Sequence, residues 1–183
     1  MGFGISTPAP AQPAPALPHV ISYDSKAYAW LWDAATATWR LLPRNEARVL
    51  YHEQGDNKQL TGTLTIDGNY PVPTVPAGQS VLLLFRKEGN FKRHAGLPAN
   101  ESGFEVTRLD VTAGPRKNQL IRTAQLHRQG ESAATFGAKR EPITVQKITR
   151  PDGIFHAVQL TRALPAGRYA LYLPDRAFEF AVK

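Results

Sequence analysis

Apolar and polar residues alternate along most of the chain from residue 19 onward, and turn-forming residues interrupt the alternation at short intervals. The clearest example is the segment 60–66, in which Leu60, Leu64 and Ile66 point to one face and three threonines point to the other. Alternation with a period of two is typical of a strand that is buried on one face. The same pattern predicts further strands at 27–32, 38–42, 48–52, 80–86, 104–112, 120–126, 143–149, 154–161, 168–173 and 177–182.

Roughly ten to twelve short strands and hardly any helical period predict an all-β fold. We expect an antiparallel β-sandwich, with a barrel as the alternative. Within 104–112 the apolar phase switches from Phe104 and Val106 to Leu109 and Val111, as a β-bulge requires.

One short run resembles the strand entries of many immunoglobulin-like extracytoplasmic domains. It is Leu-Pro-Ala-Gly-Arg-Tyr-Ala-Leu-Tyr at 164–172. The resemblance implies an immunoglobulin-like sandwich, and it carries over no functional residue because it covers so little of the chain.

The chain begins with a leader of a different composition. Residues 5–18 alternate proline with small residues, which favours an extended polyproline II conformation and offers nothing to bury. We therefore expect residues 1–18 to be a flexible tether and residues 19–183 to form a single sandwich domain. Two small sandwiches at about 19–98 and 99–183 are the alternative, because a Pro-Ala-Gly turn precedes a strand in each half.

A tether of this kind often joins a folded extracytoplasmic domain to a cleaved signal or a lipid anchor. The expected location is the periplasm or the cell surface, with the signal or anchor missing from the sequence shown. The alternative is a disordered arm on an intracellular or viral structural protein. The longest apolar run, 81–85, is far below the roughly 20 residues that a membrane helix needs, so no transmembrane segment is expected.

Composition removes several classes of function. The chain has no cysteine, which excludes disulfides, thiol nucleophiles and iron–sulfur clusters. Metal and cofactor sites are not expected, because no two of the five histidines have metal-ligand spacing and no phosphate-binding loop precedes a helix. No catalytic residue is predicted, and an enzyme is not favoured. A hydrolase with an unrecognised carboxylate pair remains an alternative, since such pairs need no fixed spacing.

The formal net charge of +7 favours polyanionic partners. The densest group of cations is Arg86, Lys87, Lys92 and Arg93, which flank a Glu-Gly-Asn turn. On a hairpin tip they would converge on a phosphate or a carboxylate-rich partner. We favour the simpler interpretation of a solvated hairpin whose lysines protect a sheet edge against aggregation. A glycan or another polyanion stays a candidate ligand, and nucleic acid is not expected.

The second candidate binding group is an aromatic row. Period two places Tyr28, Trp30 and Trp32 on one face of the first strand, and Trp39 follows across a short turn. Rings on a sheet surface can stack on sugars or pack against a partner protein. We favour burial of the row in the core, because burying three large rings stabilises a small domain by several kcal/mol.

These observations favour a non-enzymatic binding or assembly module, held outside the cytoplasm as part of a cell-envelope or secretion-type complex with a protein partner. The alternatives are a glycan-binding sandwich that uses the aromatic row and the hydrolase already named.

Overall fold

The computed structural model describes residues 16–17, 27–54, 59–67, 71–87, 104–116, 119–129, 139–151, 153–173 and 176–183. These residues form thirteen strands and no α-helix. In chain order the strands are β1 (Ala27–Asp33), β2 (Thr38–Leu41), β3 (Arg44–Gln54), β4 (Gln59–Asp67), β5 (Thr74–Val75), β6 (Leu82–Lys87), β7 (Glu105–Ala113), β8 (Leu120–Gln129), β9 (Arg140–Glu141), β10 (Ile143–Arg150), β11 (Gly153–Leu160), β12 (Gly167–Leu173) and β13 (Arg176–Val182).

The strands form two sheets, which confirms the predicted β-sandwich. The five-stranded sheet has the order β10–β11–β6–β1–β2, with every neighbouring pair antiparallel. The eight-stranded sheet has the order β12–β13–β3–β4–β8–β7–β9, with β5 added beside β13 in parallel. Both sheets draw strands from the early and the late part of the chain, because β6 pairs with β11 and β13 pairs with β3.

The main hydrophobic core lies between the two sheets. Alternate residues of β1, β6 and β11 point inward from the five-stranded sheet, and β7, β12 and β13 supply the opposing side chains. At its centre Phe85 contacts Phe104 and Phe178 edge to face, with ring centroids 4.9 and 6.0 Å apart. Aromatic pairs prefer this geometry over a face-to-face stack.

Strands β12 and β13 are buried on both faces. Tyr169 and Leu171 point into the main core, whereas Ala170 and Tyr172 point the other way into a second cluster. The second cluster is completed by residues of β4, β7, β8 and β13, namely Leu64, Ile66, Leu109, Ala124, Leu126 and Ala177. The β12–β13 hairpin is therefore a middle layer with apolar packing above and below it.

Strand β7 joins the two clusters. Its first half pairs with β12 up to Leu109, and its second half, from Asp110, pairs with β8. Val106 accordingly points into the main core and Leu109 into the second cluster. The phase switch that the sequence shows in this segment coincides with the change of pairing partner.

The second cluster also holds a buried charge. Glu179 of β13 is fully buried, and its carboxylate accepts hydrogen bonds from Arg122 Nε at 3.1 Å and from Arg168 Nη1 at 3.3 Å. Burial raises the pKa of Glu179 above its ordinary value, and the two arginines oppose that shift. Because Arg122 is itself only 3% exposed, the pair fixes β8 against the middle layer.

We expect Arg122→Met to destabilise the protein by about 3–5 kcal/mol, since it leaves the Glu179 carboxylate buried without its main partner. The double variant Arg122→Met plus Glu179→Leu should recover most of that loss. Arg168→Met is the matched control, and it should cost about 1 kcal/mol or less because Arg168 is partly exposed. Urea denaturation checks this. Equal losses for the two single variants would show that burial of Arg122 is not what matters.

Candidate functional site

The outer face of the five-stranded sheet, which points away from the eight-stranded sheet, collects aromatic side chains from neighbouring strands. Ala29 and Leu31 of β1 point into the main core, so Tyr28 and Trp30 point to the outer face. Strand pairing places Trp30 directly opposite Leu84 of β6. We had expected the aromatic row to be buried in the core between the sheets. It lies instead on the outer face of the five-stranded sheet.

Pairing extends this surface across the sheet. Trp32 lies opposite Trp39 of β2, and Phe155 of β11 lies opposite Arg86 of β6. Trp30, Leu84 and Phe155 form a compact cluster, which Tyr28 and Trp39 flank. We refer to one set of residues as the aromatic face: Tyr28, Trp30, Trp32, Trp39, Leu84 and Phe155.

The aromatic face is covered in part by the leader. Leu84 and Phe155 are fully buried although they point away from the main core, and Trp30 is only 7% exposed. Leu17 packs against their cluster, and Trp39 Nε1 donates a 2.7 Å hydrogen bond to the carbonyl oxygen of Ala16. The expectation that the leader has nothing to bury does not hold at Leu17, which returns to the sheet.

The rings of the aromatic face do not form one flat platform. Tyr28 and Trp30 stack with an interplanar angle of 25° and a centroid distance of 5.9 Å. Trp32 and Trp39 are closer, at 5.2 Å, but are tilted by 59°. The rings thus offer no single flat plane on which a sugar could stack.

The tryptophans stand out in the sequence, whereas the residues that they contact do not. Ala16 and Leu17 were assigned to a tether, although Leu17 is the one large hydrophobic residue between positions 6 and 18. That exception to the Pro/Ala composition was the available signal. Leu84 and Phe155 lie in strands whose apolar residues fall on both faces, so alternation alone did not reveal that they point outward.

The predicted basic group is only partly described. Arg86 is 7% exposed, and its guanidinium lies over the ring of Phe155, 5.3 Å from the centroid. Gly153 makes room for it, since a Cβ there would lie 3.0 Å from Arg86 Nε. Arg86 therefore helps to build the aromatic face. The side chain of Lys87, as well as Lys92 and Arg93, lies outside the described residues.

A groove of about 960 Å³ on the eight-stranded sheet holds several other cations. Arg162 binds the carboxylate of Glu141 through Nε and Nη2, and Lys139 forms an ion pair with Asp110. Arg108 donates to the carbonyl oxygen of Ala166 at 3.1 Å. Arg162 and Lys139 are neutralised by carboxylates, whereas the carbonyl oxygen that Arg108 binds carries no charge, so Arg108 keeps its positive charge in the groove.

His156 is half-buried and lies beside two phenylalanines of the main core. Its ring centroid is 6.4 Å from that of Phe85 and 5.1 Å from that of Phe104, and its Nδ1 is buried without a hydrogen-bond partner among the described residues. Burial lowers the pKa of His156, and the positive charge of Lys147, paired with it across β10 and β11, lowers it further. The imidazole therefore borders the main core without belonging to its apolar cluster.

Comparisons with known proteins add no functional information. No family model, no curated protein and no solved structure matches the chain. Within the described ranges, no group of three or more His, Asp or Glu side chains is arranged to hold a metal ion. No helix in the same residues is long and apolar enough to cross a membrane. The aromatic face is accordingly the strongest candidate site.

We expect the stability of the protein to fall as the pH is lowered below about 6.5, the ordinary pKa of histidine. Below this pH, the histidine of the unfolded chain binds a proton, whereas folded His156 resists protonation. The free energy of unfolding therefore decreases as the pH falls from the ordinary pKa to the lower pKa of the folded state. The slope is at most about 1.4 kcal/mol per pH unit.

Urea denaturation between pH 5.5 and 8 tests this expectation. His156→Phe should remove this dependence, because the phenylalanine side chain does not titrate and fits beside Phe85 and Phe104. His127→Phe is the matched control, since His127 is exposed, and it should leave the dependence in place. An unchanged pH profile in His156→Phe would contradict the assignment.

Proposed function

We propose that this protein is a non-enzymatic binding and assembly module that contacts a partner protein through the aromatic face. One observation supports this most directly. The face already accepts a segment of polypeptide, with Leu17 packed on its apolar cluster and the Ala16 carbonyl bound by Trp39. A surface that recognises both a side chain and a backbone carbonyl has the chemistry needed for a peptide ligand.

The apolar surface extends beyond the contact with Leu17. Leu41 of β2 lies opposite Trp30, on the same side of the sheet, and is 56% exposed. Trp32 and Trp39 are half-buried at the same edge. Tryptophans next to an exposed leucine are typical of protein interfaces, where large rings supply most of the binding energy.

The geometry favours a protein ligand over a glycan. Sugar rings stack best on an exposed aromatic plane, whereas Trp30 of the stacked pair is buried and Trp32 and Trp39 are tilted. The hydrolase alternative has less support. Asp110 and Glu141, the carboxylates that line the groove on the eight-stranded sheet, are each held by a cation.

An extracytoplasmic location, in an envelope or secretion-type complex, belongs to this proposal. It rests on the composition of residues 5–18, which is common where a folded domain is attached at a distance from its anchor. The contact between Leu17 and the sheet is compatible with such an attachment.

The test is affinity capture from envelope extracts with the full chain as bait, comparing Leu41→Asp with Val111→Asp. Both positions are exposed hydrophobic residues, but Val111 lies on β7 of the other sheet, so it is a matched control. We expect a stoichiometric partner whose recovery falls at least about tenfold with Leu41→Asp, because a carboxylate at the contact costs more than 1.4 kcal/mol on desolvation. The recovery with Val111→Asp should match that of the unmodified chain.

Thermal unfolding of both variants verifies that the fold is intact. Equal recovery with Leu41→Asp, or loss confined to Val111→Asp, would place the contact elsewhere and overturn the proposal.

A further inference from the structure

We infer that the aromatic face is a receptor for proline-rich extended segments, and that the chain's own leader occupies it as an internal ligand. The inference rests on the proposed function and gives the partner a chemical class. It also adds regulation, since an external segment gains access only by displacing the leader.

The contacts of Ala16 and Leu17 have the form in which proline-rich segments are recognised. Such ligands lie on aromatic residues, and a ring N–H donates to one of their backbone carbonyls, which project outward because polyproline II has no internal hydrogen bonds. Here Trp39 Nε1 is the donor to Ala16, at 2.7 Å, and Leu17 packs on the adjacent apolar cluster.

The sequence around these two residues fits the same class. Pro15 and Pro18 flank them, which gives the spacing Pro-x-x-Pro. Polyproline II has three residues per turn, so prolines three apart would share one side of a segment in that conformation. Because Leu17 precedes Pro18, its backbone is restricted to the β and polyproline II regions. The segment therefore loses little conformational entropy when it binds.

Covalent attachment makes the leader a strong competitor. Only residues 18–26 separate Leu17 from the start of β1. A short linker of this kind gives an effective concentration on the order of 1 mM, so a segment with a dissociation constant of about 0.1 mM would weaken an external ligand roughly tenfold.

The experiment adds a synthetic peptide with the sequence of residues 8–20 to the full-length chain and to full-length Leu17→Ser, and follows tryptophan fluorescence and heat. We expect the peptide to bind Leu17→Ser about tenfold more tightly than the unmodified chain, because the internal ligand is weakened. A peptide with Pro15→Ser and Pro18→Ser should bind markedly more weakly to the same variant.

The hydrogen bond is tested separately in the Leu17→Ser background. Trp39→Phe keeps an aromatic ring and removes the donor, so peptide affinity should fall about fivefold, the equivalent of one ordinary hydrogen bond. Val111→Ala is the control, and it should leave the affinity unchanged because Val111 is exposed on β7 of the other sheet and lies outside the aromatic face. Thermal unfolding checks both variants.

Equal peptide affinity for the unmodified chain and Leu17→Ser would overturn the internal ligand, and no binding to either would overturn the receptor. The proposed function is tested separately, by the difference in partner recovery between Leu41→Asp and Val111→Asp. A captured partner that uses the aromatic face but has no proline-rich segment would likewise overturn this inference and leave the binding module in place.

Discussion

The burial of β12 and β13 on both faces is the constraint on which the rest of the structure depends. A hairpin with apolar side chains on its two sides needs a layer above and a layer below. The five-stranded sheet covers one side, and β4 with β8 covers the other. Strand β7 can serve both layers only by changing its partner after Leu109. The split of the core into two clusters follows from this arrangement.

The middle layer also explains where much of the positive charge is used. Glu179 lies within it and requires Arg122 and Arg168, because an unpaired buried carboxylate is costly. Glu105 and Glu141 are likewise almost fully buried, and they are held by Arg140 and Arg162 at its edge. The cations that gave the sequence its basic character are therefore, where described, largely structural. The net charge of the chain therefore gave little indication of where a binding surface lies.

The strand pattern was largely readable from the sequence because it depends on local alternation. The segments predicted around Trp30, Leu64 and Leu171 are strands, and Leu64 and Ile66 share one buried face as the alternation predicts. Strands β5 and β9 were missed because two residues carry no period. The sheet order was not predictable, because the pairing of β6 with β11 joins segments far apart in the chain. Alternation assigns residues to faces, and it does not reveal which face meets the other sheet.

The aromatic face could not be located from the sequence, because alternation does not reveal which face of the sheet meets the other sheet. A five-stranded sheet that packs on one side should present polar residues on the other, yet this one presents Trp30, Leu84 and Phe155 there. Burying these side chains needs a covering element, and the described part of the leader supplies one because Leu17 packs on this cluster. Alanine and proline alone offer too little apolar surface to hold a segment on the sheet. Leu17 supplies that surface, so the leader docks at this residue and is not only a spacer. The leader, whose composition predicts a tether, and the aromatic row, which we expected in the core, therefore contact each other.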